Sequence, residues 1–272
     1  MPNKIHPTAI IEDQVTLGDN NIIGPYCYLS GKVKLGDNNK LNSHVVISGN
    51  TKIGNGNQFF SFANIGDTPQ DLKFTDEASY VEIADNNVFR EQVTVHSGTE
   101  QGNPYFEKKS LTKIGSGSLF MVGSHIAHDC FIADKVILAN NATLAGHVTI
   151  EENVIIGGLS AVQQFVRVGA HAIVGGMSGV ENDVLPYSLI MGERAALAGL
   201  NLVGLKRRDF SKEQISNIKN AFAEIFAEEE NTVFAERITA LAAKYQGNPE
   251  IEKLVEFINN ATQKAICKPK TK

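Results

Sequence analysis

Residues 126–150 read IAHDCFIADKVILANNATLAGHVTI, and they contain the pattern that decides the fold. A large aliphatic residue recurs every six positions in this stretch, at Ile126, Ile132, Leu138, Leu144 and Ile150. The position four residues after a large one is small, as at Cys130, Val136, Ala142 and Val148. A period of six matches neither the 3.6-residue repeat of an α-helix nor the simple alternation of an open sheet.

The same period extends from residue 5 to residue 180 with two interruptions. The large positions before residue 126 are Ile5, Ile11, Leu17, Ile23, Leu29, Leu35, Leu41, Ile47, Ile53, Phe59, Ile65, Ile83, Phe89, Val95, Ile114 and Phe120. Those after residue 150 are Ile156, Val162, Val168, Val174 and Val180. Six residues thus form one short strand and one corner, and three such sides close a triangular coil of eighteen residues. Coils of this kind stack at the ordinary spacing of β-strands, about 4.8 Å.

This pattern resembles the hexapeptide-repeat proteins, and the left hand of the coil is taken from that resemblance. We predict a mainly β protein, with a left-handed parallel β-helix over residues 1–186 and a C-terminal α-helical domain over residues 187–272. The two interruptions predict loop excursions near 66–82 and 100–112, and loops that leave a regular scaffold often carry function.

The helical domain begins with a clear start signal. Ser211 is a good N-cap, and Gln214 follows three residues later, which is the pattern of a capping box. Phe210 and Ile215 can add a hydrophobic staple. Further helices are expected near 231–245 and from Pro249 to about residue 266.

Composition limits the class of protein. The chain has 272 residues with 42% hydrophobic residues and a formal net charge of −5, so nothing global suggests nucleic-acid binding. Its three cysteines lack metal-type spacing and fit a reducing compartment. No signal peptide or stretch of about 18 apolar residues is found, so we expect a cytoplasmic protein without membrane insertion.

Polar residues cluster between positions 120 and 148. His128 and His147 fall on the same side of successive coils, because the sides that contain them begin eighteen residues apart. By the same spacing, Gly146 stacks on His128 and Asp129 shares a column with His147. Two further polar residues approach this patch, His125 and Gln164.

This patch contains the parts that acyl transfer needs. A neutral imidazole can act as a general base, and a backbone N–H beside it can stabilise an oxyanion. Three histidines could equally ligate zinc, and the spacing alone does not separate these two kinds of site.

The amino-acid sequences of several segments resemble the UDP-N-acetylglucosamine O-acyltransferase family, and the resemblance covers essentially the whole chain. Most of these segments lie in the β-helix: HPTAI (6–10), IGPYC (23–27), SHVVI (43–47), HSGT (96–99), LTKIG (111–115), HIAHDC (125–130), LANNATLAGHV (138–148) and QF (164–165). Two segments are more specific to this family, QDLKF (70–74) and GLKRRDFS (204–211).

The resemblance implies a reaction and roles for the residues. A 3-hydroxyacyl group would pass from acyl carrier protein to the 3-hydroxyl of UDP-N-acetylglucosamine, the first step of lipid A biosynthesis. His128 would be the general base, Asp129 would orient it, and the Gly146 N–H would form the oxyanion site. Substrate-binding residues would be Asp71, Lys73, His96, His125, His147, Gln164, Asn201, Arg207 and Arg208. Gly158 and Gly176 share a column and would line the acyl groove.

The resemblance also implies partners. The protein would be a homotrimer, with Asp71 and Lys73 reaching a neighbouring subunit. A basic patch would receive the acidic carrier protein, formed by Lys206, Arg207, Arg208, Lys212 and Lys219. We expect no cofactor and no metal, because the thioester supplies the activated acyl group.

Several positions depart from the family pattern and keep alternatives open. Gln163 replaces a histidine, Val203 replaces a glutamate, and Ser97 replaces the arginine of HRGT. They allow a different nucleotide sugar, for example a 3-amino acceptor. A zinc-dependent β-helix carbonic anhydrase is a further alternative. A structural or ice-binding solenoid would need a flat Thr face, whereas the outward positions here are mixed and charged.

Overall fold

The computed structural model describes residues 1–105, 107–227, 233–260 and 263–270. Most of this part is a left-handed parallel β-helix, in which short strands stack coil upon coil into three sheets. The register between neighbouring coils follows the sequence repeat, so that Ile126 pairs with Leu144 and His125 with Thr143. The fold predicted from the six-residue period is therefore confirmed.

The strands form three sheets, and each is described in stacking order. The first sheet contains β1 Lys4–Ile5, β4 Ile22–Ile23, β7 Lys40–Leu41, β10 Gln58–Phe59, β13 Val88–Phe89, β16 Leu119–Phe120, β19 Ile137–Leu138, β22 Ile155–Ile156, β25 Ile173–Val174, β27 Ser188–Met191 and β28 Ala196–Leu200. The second contains β2 Ile10–Ile11, β5 Tyr28–Leu29, β8 Val46–Ile47, β11 Asn64–Asp67, β14 Thr94–His96, β17 His125–Ile126, β20 Thr143–Leu144, β23 Ala161–Val162 and β26 Gly179–Val180. The third contains β3 Thr16–Leu17, β6 Lys34–Leu35, β9 Asn50–Ile53, β12 Tyr80–Ile83, β15 Leu111–Ile114, β18 Phe131–Ile132, β21 Thr149–Ile150 and β24 Arg167–Val168.

The core lies inside the coils, where the large residue of each side meets its small partner. Phe59, Phe89 and Phe120 are fully buried and stack with ring centroids 4.8 Å apart. The first coil is less well covered, because within the described residues it has a neighbouring coil on one side only. Ile5 is 45% exposed, whereas Ile23, one coil further on, is 1% exposed.

Asparagine at several small inward positions has a structural reason. Asn21, Asn39, Asn57 and Asn87 are buried one above the other on successive coils. The side-chain oxygens of the first three accept from the backbone N–H of the next asparagine over 2.8–2.9 Å, and that of Asn87 accepts from the Ser118 N–H over 2.9 Å. This ladder satisfies polar groups that burial would otherwise leave unpaired.

Both excursions leave the β-helix at the same corner, between the second and third sheets. The chain departs after β11 and returns at β12, and it departs again after β14 and returns at β15. The corners of the following coils are closed by Asp129, His147 and Phe165, all with positive φ of 57–66°. The excursions therefore lie beside the column that contains the predicted site.

The C-terminal end of the β-helix is covered by a hairpin and helices. Strand β27 pairs in parallel with β25, and β28 runs antiparallel to β27, so the first sheet extends to Leu200. The helices are α1 Leu202–Arg207, α2 Lys212–Ile225, α3 Phe234–Lys244 and α4 Pro249–Asn259. The division at residues 186 and 187 stays a prediction. Within the described residues, no helix has the length and apolar character needed to cross a membrane.

The helix predictions hold in part. The capping box of Ser211 and Gln214 is present at the start of α2. The last helix is shorter than predicted, because α4 ends at Asn259. Beyond it, Ile266 forms a parallel bridge with Asp183, which draws this segment back onto the β-helix. Residues 231 and 232, where the third helix was expected to begin, lie outside the described residues.

Candidate active site

The predicted polar patch forms one cluster at the corner between the second and third sheets. The rings of His128 and His147 meet edge to face, with centroids 4.9 Å apart. Both side chains are buried on the outer side of the coil, and the second excursion contacts His147 through Gly102 and Asn103. The cluster is therefore enclosed and is not a solvated surface patch.

His128 and Asp129 form a buried pair. His128 Nδ1 lies 2.8 Å from Asp129 Oδ2, and Asp129 is completely buried. An ionised carboxylate can only accept a hydrogen bond, so this contact places the imidazole proton on Nδ1. In the neutral ring, this tautomer leaves Nε2 without a proton, as a general base requires.

Gly146 lies against the ring of His128. A Cβ at this position would come 2.4 Å from His128 Cε1 and 2.5 Å from Nε2, so only glycine fits under the imidazole. Within the described residues, the Gly146 N–H donates no hydrogen bond. An unengaged N–H beside the base is a donor that is available to a developing oxyanion.

His147 is fixed from two sides. Its Nδ1 lies 2.9 Å from the carbonyl oxygen of Gly102, which can only accept, so Nδ1 carries the proton. Its ring stacks on Phe165 with centroids 4.4 Å apart. Burial lowers the pKa of His147, and the neighbouring Asp129 opposes this effect. The lowered pKa favours the neutral ring, in which Nε2 is an acceptor.

His125 and His96 extend the cluster along the second sheet. His125 Nδ1 bonds Thr94 Oγ1 over 2.7 Å, and the two histidine rings meet edge to face at 4.9 Å. Burial, with the neighbouring His96 and His128, lowers the pKa of His125 to about 4. Burial also lowers the pKa of His96. Four imidazoles thus lie together, and burial favours the neutral form of three of them.

The first excursion brings Asp71 near the cluster. Its side chain accepts a hydrogen bond from the Lys73 N–H over 2.9 Å, so the two predicted residues shape one turn. Burial lowers the pKa of His147, and the negative charge of Asp71 is one of the smaller effects that raise it. Lys73 itself is exposed.

Asn201, Arg207 and Arg208 lie at the start of the helical domain. Asn201 caps α1 by accepting from Gly204 N over 3.0 Å, and its amide donates to the His171 carbonyl over 2.8 Å. Arg208 donates to the carbonyl of Asn153 over 2.9 Å. Arg207 is exposed. Within this chain, Asn201 and Arg208 therefore already hold the helix on the β-helix.

The remaining predicted residues fall on exposed corners. Gln164 is exposed, and its neighbour Gln163 accepts a hydrogen bond from Lys264 over 3.0 Å. Gly158 and Gly176 lie in one column as predicted, since a Cβ on Gly176 would come 3.3 Å from Gly158 O. The structure does not bring this column into contact with His128.

Three residues at the second excursion that bond the cluster were not predicted from the sequence. Thr99 and Asn103 bond Asp129, and Gly102 bonds His147. The six-residue period predicts a small inward residue at Thr99, four residues after Val95. Asn103 belongs to the segment GNPYFEKKS (102–110), which lies in the second interruption of the repeat. The position of this segment beside HSGT was the available signal.

His128, Asp129 and His147 are also the residues that could approach a metal ion. Their nearest ligand atoms lie within 4.8 Å of one another. The carboxylate oxygen nearest both histidines already accepts from Thr99 and His128, so zinc binding would have to displace these hydrogen bonds. The arrangement is better suited to proton transfer than to metal coordination.

A buried imidazole whose tautomer is fixed by a carboxylate, beside a free N–H on a hexapeptide-repeat coil, defines an acyltransferase of the hexapeptide-repeat class. A family model described as UDP N-acetylglucosamine O-acyltransferase, domain 2, matches residues 183–267.

Solved structures agree over nearly the whole chain. The UDP-N-acetylglucosamine O-acyltransferase of Moraxella catarrhalis RH4 is 39% identical, with 97% of this chain and 99% of that chain covered and a TM-score of 0.90. The enzyme of Bacteroides fragilis 9343 is 38% identical, with 97% and 100% covered and a TM-score of 0.90. LpxA of Acinetobacter baumannii is 36% identical, with 96% and 99% covered and a TM-score of 0.89. The chain belongs to the UDP-N-acetylglucosamine O-acyltransferase family.

Proposed function

We propose that this acyltransferase moves a 3-hydroxyacyl group from the thioester of acyl carrier protein to the 3-hydroxyl of UDP-N-acetylglucosamine, in the first step of lipid A biosynthesis. The observation that carries this proposal is the His128–Asp129 pair lying over Gly146. It supplies a base and an oxyanion donor within one site.

The acceptor hydroxyl is activated by His128. Its Nε2 takes the hydroxyl proton as the sugar oxygen attacks the thioester carbonyl carbon, and the imidazole becomes positively charged. Asp129 stabilises that charge through the hydrogen bond to Nδ1. When the tetrahedral intermediate collapses, the C–S bond breaks, and the proton passes from Nε2 to the leaving sulfur. The base returns to its neutral state.

The oxyanion forms where the thioester carbonyl was. The Gly146 N–H, which is unengaged in the described part of the chain, donates to it. Such a donor is more effective in an enclosed site than in water, because the local dielectric is low. Burial favours the neutral form of His125 and His147. His147 Nε2 then accepts a hydrogen bond from a sugar hydroxyl, and His125 contacts the sugar or the phosphate.

The active unit is a homotrimer with sites between subunits. In that assembly Asp71 and Lys73 reach the substrate of the neighbouring site, and support comes from their loop, whose Leu72 is fully exposed. Gln164, Arg207 and Arg208 hold the UDP part, with Asn201 positioning the start of α1.

Acyl carrier protein docks on the basic start of the helical domain. Lys206, Arg207, Lys212 and Lys219 are exposed there and offer positive charge to an acidic partner. The enzyme works in the cytoplasm, and its three free, buried cysteines fit a reducing compartment.

An acyl-transfer assay tests this function. Purified protein is given UDP-N-acetylglucosamine and a panel of 3-hydroxyacyl carrier proteins of different chain length. We expect transfer by the wild type, loss of transfer by at least about 100-fold in His128→Ala, and full activity in His6→Ala, whose ring is exposed at the far end.

A parallel arm uses the 3-amino analogue of the sugar as acceptor. Faster transfer to that analogue would replace the hydroxyl acceptor with an amino acceptor and leave the mechanism intact. No transfer from any donor to either acceptor would overturn the proposal.

A further inference from the structure

The carboxylate of Asp129 accepts more hydrogen bonds than the His128 contact alone. Oδ1 accepts from the Thr99 backbone N–H over 2.9 Å. Oδ2 accepts from the Thr99 hydroxyl over 2.6 Å and from His128 Nδ1 over 2.8 Å. Thr99 therefore contacts both oxygens of the group that fixes the base.

Thr99 does not fill space in the core as its place in the repeat predicts. It lies four residues after Val95, where other coils put a small inward side chain. Here the second excursion begins, and Thr99 is 3% exposed with its hydroxyl directed to Asp129. Thr99 is as small as the residues that pack inside the other coils, but its hydroxyl donates a hydrogen bond to Asp129.

We propose that Thr99 is a positioning residue for catalysis. It fixes the orientation of the Asp129 carboxylate, and the carboxylate in turn keeps Nε2 of His128 directed at the acceptor hydroxyl. This inference rests on the proposed function. Thr99 touches neither substrate nor the reacting atoms and acts through Asp129.

The physical reason is the rotational freedom of a carboxylate. One hydrogen bond would leave the Asp129 group able to turn about its last torsion, which has a broad energy minimum. The two donors of Thr99 fix both oxygens, and hydrogen bonds to a charged acceptor are the stronger kind. The Nδ1–H bond then points in one direction, and the imidazole, including Nε2, is held in a single orientation.

The segment that carries Thr99 is itself held to two successive coils. The side-chain amide of Asn103 donates to the carbonyls of Asp129 and His147 over 3.0 and 3.2 Å, and to Thr149 Oγ1 over 3.2 Å. Asn103 is 5% exposed, so these are buried hydrogen bonds. Because the Gly102 carbonyl also fixes His147, one short segment orients both imidazoles.

The test compares Thr99→Val, which removes only the hydroxyl, with Thr99→Ser, which keeps it. Loss of a hydrogen bond to a buried charged group predicts a kcat about 10- to 50-fold lower in Thr99→Val, with an unchanged KM and recovery of most of kcat in Thr99→Ser. Thr112→Val is the matched control. Thr112 is fully buried, and its hydroxyl has no hydrogen-bond partner among the described residues.

A double-mutant cycle shows whether Thr99 acts through Asp129. In an Asp129→Asn background, Thr99→Val should lower kcat by less than about threefold, because the two side chains form one unit. Equal effects in both backgrounds, or equal kcat in Thr99→Val and Thr112→Val, would overturn the proposal.

A spectroscopic measurement decides the same question without substrate. In protein labelled with ¹⁵N-histidine, the His128 Nδ1–H resonance is assigned by its loss in His128→Gln. We expect this resonance to shift in Thr99→Val, to return in Thr99→Ser and to stay in place in Thr112→Val. An unchanged resonance in Thr99→Val would contradict the positioning role. Because this measurement needs no substrate, it tests the role of Thr99 even if the wild type transfers no acyl group, so the two proposals can be rejected independently.

Discussion

The imidazole of His128 rests on the backbone of Gly146, so closely that a Cβ on the glycine would come 2.4 Å from the ring. The two residues lie eighteen positions apart, one coil above the other. The repeat itself therefore brings the base and the oxyanion donor together. Asp129 fixes the orientation of the same ring through Nδ1.

Gly146→Ala should damage catalysis far more than folding. The added methyl group pushes the His128 ring off the acceptor and crowds the free N–H, so we expect kcat to fall by about 100-fold or more. Gly146 does not have a positive φ, so alanine can adopt its backbone conformation. Steady-state kinetics, with thermal unfolding as the folding control, tests this. A variant with near wild-type kcat would remove Gly146 from the site.

Gly176→Met should shift donor preference to shorter acyl chains. A Cβ at this position would lie 3.3 Å from Gly158 O, so a small adjustment accommodates the side chain, which then fills the proposed groove. We expect the ratio of kcat/KM for long over short donors to fall by about tenfold or more. Transfer from the shortest donor serves as the internal control. An unchanged preference would show that the acyl chain lies elsewhere.

Stability should decline as the pH falls below about 6.5, because neutral histidines are buried. Burial, followed by the positive charge of Arg208, lowers the pKa of His171 to about 4 against the opposing charge of Glu152. The unfolded chain therefore binds more protons than the folded chain between these values, and stability rises with pH across that window.

The variant His171→Asn should flatten this dependence. Each such group contributes a slope of up to about 1.4 kcal/mol per pH unit. Urea unfolding at several pH values between 4 and 7 measures the slope, and the exposed His6→Asn is the control. A slope equal in wild type and His171→Asn would contradict the assignment.

Arg167→Met should loosen the contact between the β-helix and α4. Arg167 bonds Asp183 and the carbonyl of Phe257, and its guanidinium lies 4.0 Å from the Phe257 ring centroid. Both charged side chains are almost completely buried, so removing one leaves the other unpaired, at a cost of about 3–5 kcal/mol. Urea unfolding followed by circular dichroism measures the loss. Lys244→Met breaks an exposed pair with Glu224 and should leave the midpoint nearly unchanged.

The six-residue period predicts the core of this fold because each coil repeats the same contacts. It could not predict that both excursions leave at one corner, because the period does not show how many sides of the coil each excursion replaces. Nor does it predict His147 and Phe165 at positive φ, a conformation that side chains rarely adopt. The coil imposes this conformation at its corners, and local propensity gives no sign of it.

The candidate site divides in the same way. The repeat places four site residues together, because positions eighteen residues apart stack on successive coils: His128, Asp129, Gly146 and His147. Thr99 and the loop that carries it could not be placed, because an excursion does not follow the repeat. Its contacts depend on how the loop folds back over the corner.

The uneven covering of the two ends gives the β-helix a polarity. The first coil leaves Ile5 45% exposed, whereas the far end is sealed by β28 and the helices. In a stack held by neighbour contacts, disorder enters from whichever end has the fewest neighbours. Backbone amide hydrogen exchange should therefore be fastest in the N-terminal coils and become slower along the stack. The coils that carry the site residues lie beyond the middle of the stack and should be among the last to exchange.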